Sequence, residues 1–122
     1  MMLNATILST DVSESTFYDQ VTGAPRLGFT VGVTVLDTDT DEKYECQFTS
    51  GFVRLDEIKE LRRQGEPNDA LRQVADQLRA ELPTLLPKMS QVTFEVLKFK
   101  GKSAGYIKLV CRFMQVAASA AA

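Results

Sequence analysis

The stretch Arg26 to Leu36, RLGFTVGVTVL, puts Leu27, Phe29, Val31, Val33 and Val35 at every second position. Strand side chains alternate between two faces, whereas a helix gathers residues three and four apart. This pattern therefore makes one apolar face on a strand and scatters around a helix. Opposite that face lie Arg26, Gly28, Thr30, Gly32 and Thr34. Glycine inside a strand weakens it unless the sheet bends sharply or another backbone comes close. Gly28 and Gly32 therefore predict a curled sheet, as in a small barrel.

A second β signal closes the sequence. Gln91 to Val116, QVTFEVLKFKGKSAGYIKLVCRFMQV, reads as two strands joined by the glycine-containing loop Gly101 to Gly105. That register sets Lys100 against Tyr106, Lys98 against Lys108, Val96 against Val110, Phe94 against Arg112, Leu97 against Leu109 and Phe99 against Ile107. One face then collects Leu97, Phe99, Ile107, Leu109, Cys111 and Phe113 as core, and the other Phe94, Lys98, Lys100, Tyr106, Lys108 and Arg112. The second face is basic with aromatic rings set into it. Directly opposed lysines repel where a hairpin favours unlike charges, and a local rule broken without compensation points to a functional surface.

Leu3 to Thr10 is a first strand, and Asp11 to Pro25 a loop carrying Phe17 and Tyr18, which either close over one end of the core or form an exposed stacking arm. Asp37 to Glu42, DTDTDE, is a turn; it lacks the glycine and flanking helices of a calcium loop. Lys43 to Thr49 is a strand with Tyr44, Cys46 and Phe48 on one side. After Gly51 the period becomes helical. Val53 or Leu55, Ile58 and Leu61 mark a short amphipathic helix. Pro67 opens a second helix, with Leu71, Val74, Ala75, Leu78 and Leu82 on one stripe, and Pro83 and Pro87 end it.

Composition narrows the function. The 122 residues suit one domain over 1–116, followed by a disordered Ala-rich tail at 117–122. No apolar run reaches the about 18 residues of a membrane span, and the expectation is a cytoplasmic protein. Cys46 and Cys111 fall on apolar strand faces as buried thiols. With no histidine and no zinc-type cysteine spacing, neither a metal nor a cofactor is expected. No spacing assembles a nucleophile with its base, so catalytic residues are expected to be none and the protein not an enzyme. The net charge of −2 opposes generic coating of nucleic acid, yet no carboxylate follows Glu95 while Lys98, Lys100, Lys102, Lys108 and Arg112 do.

The element order, three strands, a helical insert and two strands, predicts a mainly β fold. The expected form is a five-stranded OB-like barrel with helices between the third and fourth strands. The alternative is an α+β antiparallel sheet with helices on one face. The closing QVTFEVL and KFKGKSAGYIKLVCRFMQV resemble the last hairpin of phage-type single-stranded DNA-binding proteins. So does the opening scheme of strand, aromatic loop and long Gly- and Phe-bearing strand. That resemblance implies an OB-fold and sequence-tolerant binding of single strands in phage DNA replication or recombination, in a host cytoplasm. It also implies a homodimer or cooperative array, and it points to Lys98, Lys100, Tyr106, Lys108 and Arg112.

Single-strand binding needs cations along the phosphates and rings on which bases stack. Lys98, Lys100, Lys102, Lys108, Arg112 and Arg26 are candidates for the first, and Tyr106, Phe94, Phe17 and Tyr18 for the second. The alternative is a small non-enzymatic adaptor or inhibitor that presents Val96, Val110 and Met114 on the same hairpin to a protein partner.

Overall fold

The computed structural model describes residues 2–103 and 105–116, with side chains through residue 112. Strands β1 (Met2–Tyr18), β2 (Pro25–Asp37) and β3 (Glu42–Phe48) come first. Helices α1 (Val53–Arg63) and α2 (Asn68–Leu85) follow, and β4 (Gln91–Ser103) and β5 (Tyr106–Val116) end the described chain. The strands pair in the order β1-β2-β3-β5-β4, and β4 returns to β1, so the five-stranded sheet closes into a ring. Neighbours are antiparallel except β3 and β5, which run parallel from Tyr44 with Ile107 to Gln47 with Val110. The sheet is thus neither open nor wholly antiparallel, unlike the α+β alternative.

Leu27, Phe29, Val31, Val33 and Val35 of β2 all point into the ring and are buried, as their alternation requires. The first strand is longer than its apolar residues indicate. β1 runs to Tyr18 and pairs with β2 as far as Pro25, so the expected loop from Asp11 is mostly strand. Its outer half carries mainly Ser, Thr and Glu because it extends past the core, with Val12 its buried apolar side chain. A bulge between Ile7 and Ser9 bends the strand, whose residues 2–6 pair with β4 and whose residues from Thr6 onward pair with β2.

The helices sit between β3 and β4 and cover the ring. Leu55 and Ile58 of α1, with Leu71, Val74, Ala75, Leu78 and Leu82 of α2, are buried in the core. The stripe of α2 is the expected one, but the helix passes through Pro83 to Leu85 instead of ending there. A proline forfeits one backbone donor in the last turn, and Leu86 N–H still closes that turn onto Leu82 O at 2.7 Å. Phe48 stands at the centre, edge-to-face with Phe52 at 5.7 Å and with Phe94 at 4.8 Å between ring centroids. Cys46 and Cys111 are both buried and share a thiol–thiol hydrogen bond. That bond, with burial, pushes the Cys46 thiol up and keeps it protonated.

Arginines tie the helices to the β1–β2 arm. Arg72 holds both oxygens of Glu14 at 3.2 Å, and Arg79 donates to Val12 O at 3.2 Å. Arg62 donates to Leu27 O at 3.0 Å. Hydrogen bonds from Arg72, Arg63 and Arg112 hold the Glu14, Glu60 and Glu95 carboxyls below their ordinary value of 4.5. A depressed carboxyl stabilises the fold above its unfolded pKa, and that contribution is lost as pH falls through the folded value. The melting temperature is therefore expected to hold from pH 7 to about 5 and to decline below about 4.5. Because these pairs are exposed, added salt should shrink the decline in a thermal melt followed by circular dichroism.

Candidate nucleic-acid interface

The site is set by the register of β4 and β5, which differs from the expected one. Ser103 faces Tyr106, so the connection is two residues rather than five, and irregularities follow Thr93, Val96 and Phe99. The bulge after Phe99 falls at Gly101, whose φ of 143° suits glycine alone, and Gly105 turns the chain at φ 84°. Each bulge exchanges the faces of the residues beyond it. Lys98 consequently faces Val110, Lys108 faces Gly101, and Arg112 faces Glu95. No pair of lysines is opposed among the described residues, and the broken charge rule expected from the sequence does not exist.

That register and the reach of β4 beyond β1 correct three expectations. Phe94, expected as an outward stacking ring, is 0 % exposed and lies in the core against Phe48. Leu97 and Phe99, expected in the core, are 53 % and 63 % exposed, because β4 beyond Glu95 runs past the described pairing with β1 and loses its cover. Val96, expected as part of an exposed anchor, packs against the core instead. The side chains of Phe113 and Met114, and the tail at 117–122, lie outside the described residues.

The remaining candidates divide into three groups. Lys98, Lys108 and Tyr106 share the outward face of the hairpin, each opposite an outward-facing partner. Lys100 reaches the same face, its Nζ donating to Gln47 Oε1 at 3.0 Å. Lys43, which the sequence did not single out, lies 5.9 Å from the Tyr106 ring centre because β3 runs parallel to β5 there. Arg112 is on this face but bound to both oxygens of Glu95 at 2.7 Å. Lys102 pairs with Ile107 and belongs to the opposite face.

The third group lies on the β1–β2 arm. Arg26 donates to Glu66 O at 2.8 Å and fastens the arm to the turn after α1. The Phe17 ring is stacked under the Arg62 guanidinium at 5.3 Å, and Tyr18 is 69 % exposed at the arm's tip. The arginines are thus engaged with carboxylates or carbonyl oxygens throughout, while Lys98, Lys102 and Lys108 form no ion pair among the described residues.

Comparison with protein-family models, with curated proteins and with solved structures finds no match.

Between the two hairpins, the outer surface of β1, β2 and β3 forms a polar trough of about 260 Å³. Asp11 and Glu45 stand on its two walls, with Gly32 and Thr34 along its floor. A Cβ on Gly32 would come within 2.4 Å of Asp11 Oδ1, so the missing side chain is what lets the carboxylate lie across β2. Gly28 similarly admits Ser15 and the edge of Phe17, at 3.2 and 3.7 Å from where its Cβ would be. Among the described residues no group of His, Cys, Asp and Glu is arranged to hold a metal ion, and no helix is long and apolar enough to cross a membrane.

Proposed function

We propose that this protein binds single-stranded nucleic acid on the outward face of the β4–β5 hairpin, in an OB-like arrangement. The observation that carries this reading is the cluster of Lys43, Lys98, Lys100 and Lys108 around Tyr106, none of them in an ion pair among the described residues although Glu45 is level with Lys108. Such cations neutralise phosphates in any sequence, and the phenol offers a stacking surface every base can use. Phe99 is exposed too, but it pairs with Leu109 and belongs with Lys102 to the opposite face. Further support comes from the strand order β1-β2-β3-β5-β4 with helices after β3. In OB-folds the β2–β3 face, flanked by the β1–β2 and β4–β5 loops, is the surface that takes oligonucleotides.

The test is a fluorescence-anisotropy titration of labelled oligo-dT over a range of salt. Release of counterions contributes a slope of about −0.7 in log K against log salt for each phosphate contact on a single strand, so four lysines predict a slope of about −3. Tyr106→Ala should weaken binding about tenfold, from the roughly 1–3 kcal/mol of a stacked base, and leave that slope unchanged, whereas Phe99→Ala, on the opposite face, should leave binding within about twofold. Absence of binding at low salt would remove the reading.

The exposure of Leu97 beside Phe99 favours, as a second reading, a protein partner docked on the same arm. An adaptor of that kind would ignore oligo-dT and lose its partner on Leu97→Asp.

A further inference from the structure

We infer that the trough between the two hairpins selects guanine among the bases of a bound single strand, an inference that rests on the nucleic-acid reading of the adjoining lysine surface. Three observations lead there. The trough is continuous with that surface: Gln47, on its wall, accepts the Lys100 hydrogen bond, and Glu45 is level with Lys108 in the parallel ladder. Its volume of about 260 Å³ is below the roughly 300–1,000 Å³ of pockets that enclose whole small molecules, and suits one planar group. Its chemistry is polar on every side, and neither Asp11 nor Glu45 enters a hydrogen bond or ion pair among the described residues.

Two carboxylates repel a phosphate, so the strand's backbone is kept on the lysines and what enters the trough is a base edge. A carboxylate only accepts hydrogen bonds, and two parallel N–H donors match its two oxygens. Guanine presents such a pair, N1–H and N2–H, on its Watson–Crick edge. Thymine presents one N–H between two carbonyl oxygens that face a carboxylate with like charge. Adenine and cytosine each offer one amino donor beside a ring nitrogen that accepts. Asp11 is the better placed of the two acids, because its carboxylate already lies over Gly32 at the floor.

The experiment compares labelled strands of about twelve nucleotides, within the usual single-strand site size. One is oligo-dT, one repeats dT-dT-dG, and one replaces each guanine by inosine, which lacks the N2 amino group. The native protein is expected to bind the guanine strand on the order of tenfold more tightly than oligo-dT, the scale of one good bidentate base contact. Inosine should remove most of the difference. Asp11→Asn should bring the guanine preference to within about twofold while leaving oligo-dT binding intact. Gly32→Ala should do the same without altering charge, since the new methyl group displaces the Asp11 carboxylate. Equal binding of the three strands, or a preference that survives Asp11→Asn, overturns the assignment of the trough alone. Failure to bind any strand overturns the lysine surface and the trough together.

Discussion

The double variant Lys98→Glu/Lys108→Glu is expected to bind a single-stranded oligonucleotide at least about 100-fold more weakly than the native protein at about 50 mM salt. At that concentration counterion release is worth roughly tenfold in affinity per phosphate contact, so the loss of two contacts gives about 100-fold before any repulsion from the new carboxylates. The slope of log K against log salt should shrink by about 1.4. Both side chains lie on the outward face of β4–β5, opposite Val110 and Gly101, and neither is in an ion pair among the described residues, so the fold should not depend on them. Anisotropy measures the binding, and an unchanged thermal melt establishes that the variant is folded. If binding persists in a folded double variant, the strand runs elsewhere.

The second large effect falls on stability. Phe94→Ala is expected to destabilise the protein by about 3–5 kcal/mol, the range for a buried phenylalanine whose cavity cannot collapse. Phe94 is fully enclosed and fills the space beside Phe48, whose ring also meets Phe52. Phe99→Ala, further along the same strand, should change stability by no more than about 0.5 kcal/mol, because its ring is already in solvent. Urea unfolding followed by tyrosine fluorescence or circular dichroism compares the two directly. If the order is reversed, the register of β4 against β5 is wrong.

Those two phenylalanines also show where the sequence is informative and where it is silent. Leu27 to Val35 can be placed on a strand with its buried face because alternation is unbroken and the turn lies outside it. The stripe Leu71, Val74, Ala75, Leu78 and Leu82 is equally readable, since all five residues recur at helical spacing. The order of elements is readable too, and it anticipates a mainly β fold with a helical insert. Alternation alone wrongly sets Phe94 and Phe99 on opposite faces, because the irregularity after Val96 moves the pattern by one residue, and it cannot show that Phe99 lies beyond the cover of β1. A bulge leaves no mark on apolar periodicity; Gly101 is the visible trace of the one after Phe99, and it reads equally well as part of a loop. Lys43 and Glu45 cannot be joined to the C-terminal hairpin from the sequence at all. Their proximity to Tyr106 and Lys108 comes from a parallel pairing between strands separated by both helices and β4, which no local pattern encodes.

That parallel pairing also joins strands far apart in the chain, which bears on folding. The β1–β2 and β2–β3 connections are local, so those three strands can assemble as soon as they leave the ribosome. The seam between Tyr44–Gln47 and Ile107–Val110 must wait until both helices and β4 have been made. Until then the edge of β3, with Cys46 and Phe48 beside it, lacks its β5 neighbour. A chain cut before Ile107 is therefore expected to be a half-zipped sheet with a sticky margin, scattering more light than the full chain at equal concentration.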